Sequence, residues 1–342
     1  MRTPMVLRLL GTEDEVLGTL LNAPERLSVP STADAGAYRR MIGHARSPLT
    51  ERQLGALFAT HGQTVVIAGS PALGNDRAIS TVETALQLGA GRVAKFARAH
   101  TATPDGLRGT ANKMGVAGLI MCDARTLTTT ALTALLRAGS ALTEASPDVT
   151  IAVVTGPVNA PAWLNWPHRI DLTRWDAAGL RMLCDEEDLP FRDATAQSDL
   201  LAATGGWPPL LGRAIEACHG SGAVPSGEQI LAEVEAWIDS AAASKLLDAA
   251  GVGTIEPVLR AALARISELT NSVGEDTANL TELLEMADED LIPSCHEAGF
   301  ANLEEVIVAL AALACLFDDG QGGWRSEGQI STIVQTCAGV EA

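Results

Sequence analysis

Residues 69–76, with the sequence GSPALGND, have the glycine spacing of a phosphate-binding loop. In the working motif, G-x-x-x-x-G-K-[ST], backbone N–H groups surround the phosphates, the lysine contacts the β and γ phosphates, and the hydroxyl binds magnesium. Gly69 and Gly74 keep this spacing, whereas Asn75 replaces the lysine and Asp76 replaces the hydroxyl residue. A carboxylate beside a triphosphate is repulsive unless a metal ion intervenes. The pattern indicates either a nucleotide loop without its catalytic groups or an ordinary turn between a strand and a helix.

Two further polar residues follow apolar runs. Asp123 comes directly after LIMC, as does the carboxylate that holds magnesium in phosphoryl-transfer sites. Thr155 ends the run VTIAVVT and has the polar type expected of a residue that senses the γ-phosphate. Asp123 also fits a second interpretation, as the cap of the helix that follows it. We therefore expect either a vestigial magnesium ligand or a structural cap at Asp123.

Short apolar strands that alternate with helices are predicted to position these residues. Continuous burial of a strand on both faces is typical of a parallel sheet covered by helices on each side. An α/β core is therefore expected. The predicted strands, in chain order, are residues 64–69, 92–98, 115–124, 149–156 and 168–172.

The strands stop after about Thr173, and helical periodicity takes over, with residues 227–251 predicted as one helix and residues 279–291 as another. Three later helices are followed by LFDDGQGGWRSEGQIS, which reads as two short strands around a glycine-rich turn. Three helices and a hairpin indicate a winged-helix module. The predicted division is an N-terminal helical extension (1–49), an α/β core (50–172), a helical lid (173–240) and an acidic winged-helix domain (241–342).

The chain resembles the AAA+ and STAND-type P-loop NTPases related to origin-recognition ATPases. The resemblance covers roughly residues 50–335. It rests on the order of strands and helices, on the loop glycines, on Asp123 and Thr155, and on the turn TGGWPPLLGRAIEA. In that family a Gly-Gly-x-Pro turn opens a lid helix, often with an arginine following, and Gly205, Gly206, Pro208 and Arg213 match this arrangement.

The resemblance implies a P-loop NTPase-like parallel sheet of order 5-1-4-3-2, followed by a helical lid and a winged helix. It implies a nucleotide site formed by Gly69, Gly74, Asn75, Asp76, Thr155 and Arg213, with magnesium at Asp123. Arg213 alternatively serves as a solvated helix charge or pairs with a carboxylate. At the position after Asp123 the family usually has a glutamate that polarises the attacking water, but this chain has Ala124, which cannot take a proton.

These departures favour a catalytically degenerate, AAA+-like pseudo-ATPase with no catalytic residues and no cofactor, or at most weakly held ADP or ATP. Such a chain is expected to act as a scaffold or regulatory subunit whose protein partner is an ATP-competent subunit. One alternative is an NTPase whose site is completed in trans. Another is a winged-helix DNA-binding regulator.

The charge of the chain bears on the DNA-binding alternative. The chain has a net charge of −18, and residues 241–342 contain four basic and 17 acidic residues, which gives −13 for that part. Nucleic-acid binding depends on cationic groups that displace counterions, so the acidic C-terminal part is not expected to bind it. The sequence contains no secretory start and no apolar run of ~18 residues, from which we expect a cytoplasmic protein without a membrane span.

Tryptophans are concentrated near the predicted boundary between core and lid. PAWLNWPHRIDLTRW contains three of them, and Trp207 lies in the TGGWPPLL turn. We expect Trp207 to be an internal wedge that fills the vacated nucleotide pocket, with a partner interface as the alternative.

Overall fold

The computed structural model describes residues 49–87, 95–115, 117–186, 189, 191, 193–221, 227–238, 243–273, 291–318, 324–326 and 328–340. The predicted N-terminal extension lies almost entirely outside these residues, and so does the predicted helix at 279–291 except for its last residue.

Five parallel strands form the central sheet, in the order β2-β3-β4-β1-β5. The predicted order 5-1-4-3-2 is therefore confirmed, and it is consistent with a P-loop NTPase-like α/β fold. Every residue of β1 and β4 is buried, which agrees with their continuous apolar sequences. The strands are β1 (Thr64–Ala68), β2 (Phe96–Arg98), β3 (Gly118–Asp123), β4 (Val149–Thr155) and β5 (Arg169–Asp171).

One helix precedes the first strand and four others lie between the strands: α1 (Glu51–Ala59), then α2 (Ala78–Gln87), α3 (Pro104–Met114), α4 (Thr129–Ala145) and α5 (Ala160–Trp163). The sequence pattern did not predict α3, which contains two glycines and is largely polar. Its ends explain why it forms. The Thr103 side chain accepts from the Gly106 N–H, Pro104 occupies the first turn, and Gly115 adopts a left-handed conformation after the last turn.

The expected helical region after the sheet contains α6 (Ala177–Glu186), α7 (Ala194–Thr204), α8 (Pro208–Ser221), α9 (Gly227–Ile238) and α10 (Ser244–Ala250). The stretch 227–251, predicted as one helix, contains two. The helix α10 ends at Gly251, whose φ of 85° lies in the left-handed region.

The C-terminal part contains α11 (Pro257–Val273), α12 (Leu291–Glu297), α13 (Leu303–Ala312), β6 (Leu316–Asp318), β7 (Trp324–Ser326) and α14 (Gly328–Val340). The strands β6 and β7 pair in antiparallel fashion, as the predicted hairpin requires. The residues after β7 form α14, whereas the sequence interpretation extended the second strand into GQIS. The helix α11 packs against α13, β7 and α14.

Contacts join this part to the rest of the chain. The Asn165 side chain donates to Glu305 Oε1 at 2.8 Å, and the Gln329 side chain donates to the Ala202 carbonyl at 3.2 Å. The first contact connects the α5 region to α13, and the second connects α14 to α7. Among the described residues, no helix has the length and apolar character that crossing a membrane requires.

Candidate functional site

The loop after β1 folds back on itself. Ser70 has an extended conformation after the strand, and two short 3₁₀ turns, Pro71–Leu73 and Asn75–Arg77, follow with Gly74 between them. Four backbone N–H groups bond to carbonyls of the same loop: those of Leu73 and Asn75 to Ser70, that of Gly74 to Pro71, and that of Arg77 to Gly74. These donors are therefore already paired, whereas a phosphate-binding loop directs its N–H groups at the anion.

Both predicted glycines have roles in this backbone. A Cβ at position 69 would lie 2.7–2.8 Å from side-chain atoms of Leu172, because the chain leaving β5 packs directly on Gly69. Gly74 has a φ of 81°, in the left-handed region that favours glycine. Close packing and backbone conformation account for the two residues without any phosphate.

The asparagine at the lysine position points inward. Asn75 is buried, and its Nδ2 donates to the Gly69 carbonyl at 2.8 Å and to the Thr155 carbonyl at 3.4 Å. It thus joins the carboxyl ends of β1 and β4. Its Oδ1 and the Ser70 hydroxyl are both buried without a hydrogen-bond partner in the described structure. The neighbouring Asp76 is exposed.

Helices from the later part of the chain cover the first turn of this loop. Ala72 and Leu73 are completely or almost completely buried, and the Pro71–Leu73 turn contacts both α8 and α10. Gly251, at the end of α10, lies against the segment after β4. A Cβ there would be 2.4 Å from two side-chain atoms of Pro157. Protein atoms therefore pack over the carboxyl ends of β1 and β4.

Asp123, the predicted magnesium ligand, forms a two-point ion pair with Arg125. The guanidinium Nε contacts Oδ1 at 2.8 Å and Nη2 contacts Oδ2 at 2.7 Å. These bonds, with a smaller contribution from the charge of Arg98, lower the pKa of the Asp123 carboxyl. Asp123 raises the pKa of Arg125 in turn, and Asp76 adds to that effect. The two predicted acidic residues therefore share a cationic neighbour that the sequence interpretation missed.

Thr155 is fully buried, and its hydroxyl donates to Asn159 Oδ1 at 2.6 Å. The Asn159 amide donates in turn to the carbonyls of Ala124 at 3.2 Å and Leu127 at 3.4 Å. This network connects the ends of β3 and β4. Asn159 was missed because nothing in its local sequence shows that a segment 32–35 residues earlier in the chain will supply its partners.

No contact between described residues joins Arg213 to this group. Its guanidinium is exposed and pairs with Glu216, three residues further along α8, at 3.1 Å. The predicted site residues on the sheet edge thus lie near one another, while Arg213 lies on the exposed face of α8.

The Gly-Gly turn connects the lid helices to the chain that leaves the sheet. Gly205 and Gly206 both have left-handed φ values, and α8 begins at Pro208. The Arg174 side chain donates to the Gly205 carbonyl, and the Trp175 N–H donates to the Gly206 carbonyl, each at 2.9 Å. Trp207 is fully buried, with the Arg174 guanidinium carbon 5.9 Å from its ring centre.

The residues of this edge do not fit a magnesium–triphosphate complex. Four of the loop N–H donors are paired internally, no cation stands at the lysine position, and the Asp123 carboxylate is occupied by a guanidinium. Within the part of the chain that the structure describes, no three histidine, cysteine or acidic side chains come together as a metal site.

No protein-family model matches this sequence, and no curated protein is similar to it at a significant level. A chain in the structure of Drosophila ORC bound to DNA can be superposed over 91% of this chain and 94% of its own length, with 11% identity and a TM-score of 0.37. A likeness this distant does not identify a function.

Proposed function

We propose that the chain is a catalytically degenerate, AAA+-like scaffold or regulatory subunit of a multi-protein complex, which holds its shape without nucleotide. One observation carries the proposal: the loop that would bind phosphate pairs four of its own N–H groups internally, and its Pro71–Leu73 turn is packed beneath α8 and α10. A triphosphate could enter only if these hydrogen bonds broke and the helices moved away. The free energy of packing opposes both changes.

The chemistry of the individual positions supports the same proposal. Asn75 cannot supply the positive charge of the missing lysine, and Ala124 cannot act as a base. Electrostatic stabilisation and a positioned base each contribute several powers of ten to an enzymatic rate. Asp123 would have to release Arg125 before it could bind a metal ion. Turnover by this chain alone is therefore expected to be negligible.

A subunit of this kind would be retained for its surfaces, and an ATP-competent protein partner would supply the energy. The proposed parts are the core, the lid and an acidic C-terminal winged helix, with the boundaries given above. The −13 balance of residues 241–342 favours a protein partner for that part over nucleic acid.

The direct test measures nucleotide binding and hydrolysis by the whole chain. We expect neither MgATP nor MgADP to shift the thermal unfolding midpoint, and we expect no phosphate release above a no-protein blank. The matched variant is Asp123→Ala, which removes the only predicted metal ligand. Steady hydrolysis by the wild type that this variant abolishes would refute the proposal and favour a site completed in trans. A midpoint shift with ADP alone would contradict the nucleotide-free part of it.

A second experiment tests the partner. A complex purified with the full chain should contain an ATPase whose activity is lost when its own loop lysine is replaced. That activity should persist when Asp123 of this chain is replaced by alanine. If hydrolysis by the complex instead requires Asp123, the regulatory interpretation is wrong and the chain contributes to the chemistry.

A further inference from the structure

A cavity of about 320 Å³ lies at the β2 edge of the sheet, away from the loop after β1. It opens between β2 and the C-terminal half of α3. Its volume is at the lower end of the range for small-molecule pockets, ~300–1,000 Å³, which suits a small ligand. Its lining includes Lys95, Phe96, Arg98, Thr110, Lys113 and Met114.

The charge of this cavity contrasts with that of the chain. The protein has a net charge of −18 and only three lysines, and two of them, Lys95 and Lys113, line this one cavity. His100 also lines it, and the described lining residues include no acidic side chain. Two lysines beside one cavity in so acidic a chain indicate a site for an anionic ligand.

Each of the two ammonium groups has N–H donors that no described residue accepts. Lys95 Nζ donates to the Met114 carbonyl at 3.0 Å, which uses one of its three N–H groups and holds the side chain at the cavity. Lys113 is exposed near the end of α3. Within the described ranges, neither lysine forms an ion pair. Arg98 differs, because Glu83 binds its guanidinium through both carboxylate oxygens and so balances its charge.

The remaining lining is suited to the uncharged part of a ligand. Phe96 and Met114 present apolar surface, and Phe96 is only half-buried although it lies in a strand. The Thr110 hydroxyl donates to the Gly106 carbonyl at 2.8 Å, so its oxygen can still accept a hydrogen bond.

We propose that this cavity binds a small organic phosphate, with the phosphate between Lys95 and Lys113 and the apolar part against Phe96 and Met114. A phosphate monoester carries a charge of about −1.5 to −2 near pH 7. Two ammonium groups balance that charge more closely than they would balance the single negative charge of a carboxylate. Lysine is a common phosphate ligand that acts as a point charge. This site is independent of the loop after β1 and of the function proposed above.

The test is a calorimetric titration of the full chain with phenyl phosphate, with phenol and inorganic phosphate as companion probes. We expect phenyl phosphate to bind more tightly than either companion. Lys113→Gln should weaken that binding by at least about tenfold, as should Lys95→Gln, since the loss of a charged hydrogen bond corresponds to a roughly 10- to 150-fold change in affinity. The matched control is Lys245→Gln, which alters the remaining lysine on α10 and should leave the affinity unchanged.

Lys113 provides the safer variant, because its exposed side chain bonds to no other described residue, so its replacement should not disturb folding. Equal affinity of the Lys113→Gln and Lys245→Gln proteins would overturn the proposal, as would the absence of phenyl phosphate binding at about 10 mM, where even a weak ~1 mM site would be saturated. Inorganic phosphate binding as tightly as phenyl phosphate would exclude an organic ligand. If short duplex DNA binds through the two lysines while phenyl phosphate does not, the site serves nucleic acid and the proposal is wrong.

Discussion

Replacing Asn75 by aspartate tests what the residue at the lysine position does. The change preserves size and shape, so it creates no cavity, but it exchanges the Nδ2 donor for an oxygen. That oxygen would lie 2.8 Å from the Gly69 carbonyl, in a side chain that is 2% exposed. Two carbonyls that now accept hydrogen bonds would face an acceptor.

The expected cost follows from these contacts. Losing a buried partner costs about 1–3 kcal/mol for the group left behind, and the bond to Gly69 should dominate because the bond to Thr155 is long. Burial of a carboxylate adds to that cost, so we expect the free energy of unfolding at pH 7 to fall by about 2–4 kcal/mol.

The loss should depend on pH. When protonated, the introduced carboxyl group could donate to the Gly69 carbonyl, so its pKa in the folded variant should exceed the ordinary aspartate value of about 3.9. The protonated form stabilises the folded variant at low pH, and this stability is lost as pH rises through the folded pKa. The difference from wild type should therefore be smaller at pH 4.5 than at pH 7.

Chemical denaturation of both proteins at the two pH values measures this difference. The control is Asn112→Asp, at an exposed position on α3, which should change stability by no more than ~0.5 kcal/mol. An Asn75→Asp protein as stable as that control at pH 7 would show that the amide does not hold β1 and β4 together, and the reasoning about the loop would fail.

Three further changes have defined outcomes. Trp207→Ala should lower the free energy of unfolding by ~3–5 kcal/mol in denaturation because the ring is fully buried, whereas Phe317→Ala, 42% exposed, should cost far less; similar losses would contradict the internal wedge. Gly251→Ala should destabilise the chain, because the added Cβ would lie 2.4 Å from a proline side chain. Its control, Gly212→Ala, places a Cβ on α8 where no atom beyond its own helical turn lies within 4 Å, and should raise the melting temperature. A Gly251→Ala protein as stable as wild type would contradict the close packing at Gly251. Burial raises the pKa of Glu256 to about 7, so the stability that its protonated form contributes is lost as pH rises from about 4.5 to 7. Glu256→Gln should therefore melt at a higher temperature than wild type at pH 8 but not at pH 4. Equal melting temperatures of the two proteins at both pH values would refute the pKa shift.

The sheet was predictable because each inner strand is a continuous apolar run ended by a polar residue or glycine. No such signal existed for α3, whose polar sequence and two glycines hide a helix fixed by its caps and by the burial of Leu107 and Met114. The division of 227–251 into two helices was also missed, because periodicity alone does not show where a helix stops when alanines continue the pattern.

The candidate site shows which features the sequence predicts and which it does not. The sequence indicates which residues follow β1, β3 and β4, and these residues do lie at one edge of the sheet. It does not show that Asn75 bonds two carbonyls, that Arg125 pairs with Asp123, or that Asn159 receives the Thr155 hydroxyl. Each of these bonds depends on side-chain direction, which is set by packing between segments distant in the sequence.

The cover over the Pro71–Leu73 turn also has a consequence for how the chain folds. Two apolar residues of an early segment are buried by α10, which is made much later in synthesis. Contacts between distant segments close slowly, because the intervening chain must first be ordered. A nascent chain that has completed its sheet therefore exposes Ala72 and Leu73 until α8 and α10 emerge, and products truncated before α10 should be prone to aggregation.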